Sequence, residues 1–322
     1  MTELYSLHRV TLTAAGEPLF AALAAAIPGM SRHLAREAVM AGLVSIAGKV
    51  IAEPKHPLPD AAVNVACDLS HGVRKTLLAQ KHGAGAEAIA KPFTILHEDS
   101  DIIVVDKAAG VLSAPTVAGE HGHVPELLRA FWRKQGRRAG YIGLIHRLDR
   151  ETSGCLCFAM TREAQRLMSV QFASHSAWRT YRCLVSGQMR EDRLTLSGKI
   201  GRGQDGRRAI VNDEELGKEA VTHVAVLRRF GLGAELEARL ETGRTHQIRV
   251  QLADLGCPVW GDRVYGKRIE QRARRSPKPL PKPTRMMLHA TLLEFDHPSS
   301  GKRLRIEAPL PPVFGEFAKM LG

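Results

Sequence analysis

The sequence has no run of about 18 apolar residues, the length a membrane-crossing helix needs. Its longest apolar stretch, Leu19 to Ile27, is short and rich in alanine. The N-terminus lacks a basic segment leading into an apolar run and a cleavage site, so the chain is expected in the cytoplasm, away from membranes. Cysteine is scarce and odd in number: Cys67, Cys155, Cys157, Cys183 and Cys257. None has metal-ligand pair spacing. Cys155 and Cys157 lie in an apolar run, which reads as strand packing by reduced thiols. The 14 histidines form no His-Glu-x-x-His pattern, so no metal is expected. Nucleotide-binding motifs are missing too, so no cofactor is expected. Acidic residues are the minority, 33 Asp and Glu against 46 Lys and Arg, a net charge of +13. That balance points to a polyanionic partner.

What is present begins with enough chain for one large domain or two: 322 residues, 44% hydrophobic. An Ala/Leu-rich stretch from Pro18 to Ile27 predicts a helix closed at Pro28-Gly29. Ser31 is placed to cap a second helix, Arg32 to Ala41, with Gly42 in the stop position. Two short β-rich runs around Ala47-Gly48 predict a hairpin, and Val63 to Ala66 another strand. This order resembles the small αL RNA-binding domain of a small-subunit ribosomal protein and several RNA modification enzymes. The resemblance covers about residues 17 to 70 and implies a basic second helix against the phosphate backbone; Arg32 and Arg36 match that placement. The domain is placed at 14–75, since residues 1 to 13 carry no strong pattern, with a Gly/Ala/Lys-rich linker at 76–91.

From residue 92 to 322 the pattern changes. Strands are predicted at Phe93–Leu96, Ile102–Val105, Cys155–Met160, Thr180–Val185, Val221–Leu227, Ala234–Leu240, His289–Phe295 and Leu304–Ile306. Thr161 can cap a helix to about Ser174 with Ala164, Leu167, Met168 and Phe172 on one face. Many strands with few helices between them exclude a doubly wound parallel sheet and predict a mixed, mostly antiparallel α+β domain. Residues 267–285 hold eight Lys or Arg, Glu270 and four prolines, a net +7. They are expected to form a mobile basic loop, its Arg272, Arg274 and Arg275 meeting phosphates.

Two stretches carry chemistry. In "GLIHRLDRETSGCLCFAMT", Gly143 to Thr161, a polar loop with two cations and an anion feeds a buried strand. Such a loop can present a reactive side chain, although a loop carboxylate like Asp149 is more often an acceptor of backbone bonds. In "ETGRTHQIRVQLADLGCPVWGDRVYG", Glu241 to Gly266, donors Arg244, His246, Gln247 and Arg249 crowd six residues, a density suited to anions. Ile248, Leu252 and Leu255 read as one buried face. Arg249 lies beside that face and needs a carboxylate partner.

Together with "EDSDIIVVDKAAGV", "WRTYRCLVSG" and "MLHATLLEFDHPSSGKRLRIEAPLP", these blocks resemble the RluA family of RNA pseudouridine synthases, in the family's order, over about residues 93 to 312. Ala108 stands where that family usually has proline. The resemblance implies the family's bent, mostly antiparallel sheet, and isomerisation of uridine in structured RNA. Ribosomal RNA is the expected target, with transfer RNA or a catalytically silent assembly factor as alternatives. It implies that Asp149 is catalytic, that Tyr181, 32 positions later, stacks on the target base or acts as a base, and that Arg249 pairs with Asp149. Arg147 would enter the RNA stack in place of the flipped base, with Arg244 and Lys107 also toward RNA. Leu288 and His146 would sit at the pocket wall. The enzyme is expected to act as a monomer. A metal-dependent nuclease would need clustered carboxylates, and Asp149 with Glu151 is the only pair near the loop.

Overall fold

The computed structural model describes residues 7–13, 16–58, 62–69, 91–115, 120–203, 205–211, 217–276 and 279–322. The chain divides into two units, Met1–Ala90 and Lys91–Gly322. Among the described residues no helix is long and apolar enough to cross a membrane.

In the first unit β1 (Leu7–Leu12), α1 (Leu19–Ala26), α2 (Arg32–Met40), β2 (Val44–Ile46), β3 (Lys49–Val50) and β4 (Val63–Asp68) form a helical pair and an antiparallel sheet ordered β1-β4-β2-β3. Ser31 accepts from the Leu34 N–H at 3.1 Å and so starts α2. Gly42, at φ +68°, stops it. Leu19, Leu23, Ala35, Val39, Val44 and Val65 make the core. Arg32 and Arg36 are exposed. The unit begins earlier than the predicted residue 14, because Leu7–Leu12 pairs along the whole of β4. Strand pairing supplied what a short alternating stretch did not signal alone. The predicted linker 76–91 lies, apart from Lys91, outside the described residues.

The second unit contains β5 (Phe93–Glu98), β6 (Ile102–Lys107), α3 (Val124–Lys134), β7 (Gly143–Leu144), β8 (Ser153–Ala159), α4 (Arg162–Ala173), β9 (Trp178–Ser186), β10 (Arg193–Arg202) and β11 (Arg208–Val211). It continues through β12 (Gly217–Phe230), β13 (Gly233–Leu240), α5 (Gln247–Asp254), α6 (Lys267–Arg275), β14 (Leu288–Asp296), β15 (Arg303–Glu307) and α7 (Pro312–Lys319). Its eleven strands form one sheet ordered β11-β10-β12-β13-β9-β14-β8-β6-β5, with β15 on β14 and β7 on β8. Every described pairing between these strands is antiparallel except β14 with β8. The architecture is therefore the mixed α+β class that the strand-rich pattern predicts.

Central strands are buried on both faces, which is why they read as continuous apolar runs. Along β6 and β8, Ile103, Val105, Leu156 and Phe158 enter one core; Ile102, Val104, Cys155 and Cys157 enter the other, under Met168 of α4. All five cysteines are buried and free. Gly154, at φ +113°, lets β8 and β14 approach: a Cβ there would collide with the Ala290 backbone. The Ala108 N–H donates to the Pro92 carbonyl at 3.0 Å, a bond a proline could not make.

Residues 267–285 correct the expected mobile loop. Their first nine residues are the helix α6, because all four prolines lie after Arg275. Ile269 and Leu280 pack on the main core. Arg272 donates to Ser186 Oγ at 2.9 Å, and Arg285 to Ser153 Oγ at 2.6 Å. Arg274 is exposed; the Arg275 side chain lies outside the described residues. In α5, Leu255 also departs from expectation. The helix ends at Asp254, and Leu255 is 44% exposed while Ile248 and Leu252 are buried.

Candidate active site

Asp149 sits in the turn between β7 and β8, its carbonyl accepting from the Thr152 N–H at 3.1 Å. Buried bonds fasten that turn on both sides. Ser113 Oγ accepts from the Leu148 N–H at 3.0 Å and donates to the Leu148 carbonyl at 2.7 Å. The Arg150 carbonyl accepts from the Gly110 N–H at 2.8 Å and from Lys107 Nζ at 3.1 Å. Arg150 in turn pairs with Glu120 at 2.8 Å. A carboxylate on so anchored a turn is held in one geometry, which is what a reacting group needs.

Lys107 and His146 are corrections. Lys107 is 0% exposed, and its Nζ also donates to the Ala108 and Val111 carbonyls at 2.9 and 2.8 Å. Burial, with Arg285 nearby, pushes its pKa down to about 7. It braces the Asp149 turn from beneath and offers nothing to RNA. His146 does not line the cleft. Its Nε2 accepts from the Cys157 N–H at 3.1 Å, and its ring stacks on Phe172 with centroids 4.8 Å apart. Burial, then Arg179, pushes its pKa down to about 3, so it stays neutral.

From the other side α5 supplies Arg249. Its Nη1 donates to Asp149 Oδ2 at 2.9 Å. Its Nε and Nη2 donate to the two oxygens of Asp262 at 2.7 and 3.0 Å. Asp262 is 0% exposed at its side chain and also accepts from the Val264 and Tyr265 N–H groups. One arginine therefore bridges a buried carboxylate and a cleft carboxylate. This geometry fixes the guanidinium plane and so the aim of Asp149. Although burial lowers the Arg249 pKa, the two carboxylates raise it further, and the cation persists. Sequence reading required a carboxylate for Arg249 and assigned Asp149; Asp262, 13 residues on in "GDRVYG", went unassigned.

The start of α5 is itself locked. Gln247 Oε1 accepts from Thr242 Oγ1 at 2.8 Å and from the Arg244 N–H at 2.9 Å, while its Nε2 donates to the Val221 carbonyl at 3.0 Å. His246 takes the left-handed conformation, φ +61°. Its Nδ1 lies 2.8 Å from the Tyr265 hydroxyl and its Nε2 3.8 Å from Asp149 Oδ1.

A cleft opens over Asp149, walled by Tyr181, Leu240, Leu288, Arg147, Arg179 and Arg244, with Asp149 the only carboxylate among the described residues that line it. Arg147 is exposed; Leu288 is buried in the wall. Tyr181 is nearly buried, and burial pushes its phenol up to about 12. It is a protonated ring and hydroxyl at neutral pH. Asp149, Tyr181, Arg249, Arg147, Arg244 and Leu288 are thus brought together. The one described group able to hold a metal, Asp99, Asp101 and His297, shares no residue with the cleft. There His297 meets Asp99 at 3.1 Å and ties the β5–β6 and β14–β15 hairpins.

Comparison with known proteins gives a consistent answer. The family model described as RNA pseudouridylate synthase matches residues 101–254. The ribosomal large subunit pseudouridine synthase D of Pseudomonas aeruginosa is 35% identical over 273 residues, 79% of this chain and 80% of that protein. The protein of the same name from Xanthomonas campestris pv. campestris is 33% identical over 93% of this chain and 87% of its own. Among solved structures, human RNA pseudouridylate synthase domain containing 1 aligns with a TM-score of 0.55 at 28% identity, over 69% of this chain and 86% of that one.

Proposed function

The chain belongs to the RluA family of RNA pseudouridine synthases, and from that premise we propose that it isomerises specific uridines of large-subunit ribosomal RNA in the bacterial cytoplasm. The observation that carries the site assignment is Asp149, the one carboxylate among the described residues of the cleft lining, held by Arg249 at 2.9 Å beside Tyr181, apolar side chains and three further arginines. The substrate choice rests on relatives named for the large ribosomal subunit.

Pseudouridine formation breaks the carbon–nitrogen glycosidic bond, turns the uracil and rejoins it through carbon 5. It needs neither redox change nor external energy. Asp149 is the ionised group that attacks sugar or base, or stabilises positive charge on the sugar. Arg249 positions it. Taking the target base out of the helix costs a few kcal/mol; stacking on Tyr181 returns roughly 1–3 kcal/mol. Arg147 fills the gap left in the RNA stack, and Leu288 closes the pocket wall. Pseudouridine mapping across total RNA from cells with and without the gene tests this. A site lost from large-subunit ribosomal RNA is the expected result; loss confined to transfer RNA would refute the substrate.

Outside the cleft, Arg32 and Arg36 on α2, and Arg272 and Arg274 on α6, are proposed to meet the phosphate backbone. Such pairings release counterions, so they set how steeply affinity falls with salt. Replacing either pair by alanine should lower the slope of log affinity against log salt by about 0.7 for each single-strand phosphate that the variant no longer neutralises. Salt titrations of wild type and both double variants on one ribosomal RNA transcript measure it. An unchanged slope removes that pair from the interface.

A further inference from the structure

Of the four arginines lining the cleft, three have an evident use. Arg249 is paired twice. The Nε of Arg244 donates to the Glu219 carbonyl at 2.8 Å. Arg147 reaches solvent. Arg179 differs. Its Nε is buried with no hydrogen-bond partner, and no carboxylate of the described residues lies within ion-pair distance of it. Burial holds its pKa below the ordinary arginine range, and Arg244 adds to the effect against Tyr181. A half-buried cation whose Nε is enclosed and which has no anion is costly, so one kept beside a reactive carboxylate needs an explanation.

Position supplies it. Arg179 lies two residues before Tyr181 on β9. Strand alternation therefore turns both side chains to the cleft, roughly 6–7 Å apart along the strand. The guanidinium rests over the Phe172 ring, 5.4 Å from its centroid. Its other side is set by Gly243, where a Cβ would collide with Nη1. The fork is thus fixed in place before any ligand arrives, and little rotamer freedom remains to be lost. The anion this cation lacks is what RNA carries next to every base. An uncharged uracil oxygen would leave its charge unbalanced.

We propose that Arg179 is a substrate-binding residue whose guanidinium takes a phosphodiester oxygen adjoining the target uridine, on its 5′ or its 3′ side. The proposal rests on the pseudouridine synthase reading of the same cleft. The test uses the full chain and a synthetic stem–loop copied from the ribosomal RNA around a mapped target, with tritium at carbon 5 of that uridine. A neutral methylphosphonate replaces the 5′ or the 3′ linkage, each with a 2′-O-methyl phosphodiester control. In wild type one neutral linkage should lower kcat/KM by roughly 10- to 100-fold, the range of a charge-assisted hydrogen bond. In Arg179→Met the same linkage should cost less than about 2-fold, since the partner is already gone. Arg179→Lys, which keeps a charge, should retain part of the linkage effect and protects the test against misfolding of the methionine variant. The linkage that shows the effect identifies the side. Equal linkage costs in wild type and Arg179→Met would overturn the proposal, as would no cost in wild type. A variant that loses rate equally on charged and neutral RNAs would overturn it too, leaving Arg179 a purely structural role. If wild type releases no tritium from the unmodified stem–loop, the parent reading fails, and the proposal fails with it.

Discussion

Asp149→Asn should abolish pseudouridine formation while leaving the fold and RNA binding in place. The substitution keeps the size of the side chain, and its amide oxygen can still accept from Arg249 Nη1, now 2.9 Å from Asp149 Oδ2. Arg249 also keeps both bonds to Asp262, so α5 and the turn stay joined. What is lost is the only carboxylate among the described residues of the cleft lining. An amide is too weak a nucleophile to replace it and gives little support to a developing sugar cation. A loss of at least about 10⁴-fold is expected, about 5 kcal/mol of transition-state stabilisation. Affinity for RNA should hold or rise slightly, because a charge of the same sign as phosphate has gone. Tritium release from uridine labelled at carbon 5 reads the rate, and filter binding reads affinity. Near-normal release would exclude Asp149 as the reacting group. Lost release together with lost binding would mean that the residue is needed to build the cleft.

How far the sequence discloses this site depends on whether local pattern or long-range packing decides each residue. Asp149, Tyr181 and Arg249 lie in ordered blocks whose resemblance to the family implies their roles, and the cleft gathers all three. Asp262 and Arg179 lie in the same blocks but have roles defined by distant chain. Asp262 matters because Arg249, one helix away, turns its fork onto it; Arg179 stands out because no carboxylate of the described residues lies within ion-pair distance of it. His146 shows a signal that local alternation did contain. Arg147 is exposed between His146 and the buried Leu148, and two-residue periodicity puts His146 on the side of Leu148, away from Arg147. Lys107 closes the buried strand Ile102–Lys107, and only the fold reveals three carbonyls converging on its ammonium. The strand Arg193–Arg202 alternates Leu194 and Leu196 with polar residues, the pattern of a half-buried strand, and so was legible although it is absent from the predicted strands. The helix Val124–Lys134 carries His123 as its cap, Glu126 in its first turn and Arg133-Lys134 in its last. Those are ordinary helix-end chemistries, but histidine is not among the residues sought as caps.

Arg249→Met should be the most destabilising single change in the cleft. It removes the cation that faces Asp262, whose side chain is 0% exposed, and Asp149. Removing one partner of a buried pair strands the other, at about 3–5 kcal/mol. The pH dependence distinguishes that cause from simple loss of packing. In the intact protein burial raises the Asp262 carboxyl, but the bonds and charge of Arg249, with two backbone N–H groups, outweigh it, and the net pKa is lowered below 3.8. The unfolded chain then binds more protons than the folded one in that window. The pair's stabilisation is therefore complete above about pH 4 and is lost as pH falls through the folded value. Without Arg249 burial dominates and the folded pKa moves above the unfolded one, so the sign reverses. The variant should gain stability relative to wild type as pH falls from 8 toward 5, because protonation relieves the stranded charge. Adding Asp262→Leu to Arg249→Met should restore part of the loss and flatten this pH trend, and the two changes should be non-additive. Urea denaturation of the four proteins of this cycle at pH 8 and pH 5 measures each effect. A deficit in Arg249→Met that is the same at both pH values, and additive with Asp262→Leu, would show that the arginine contributes packing and no charge compensation.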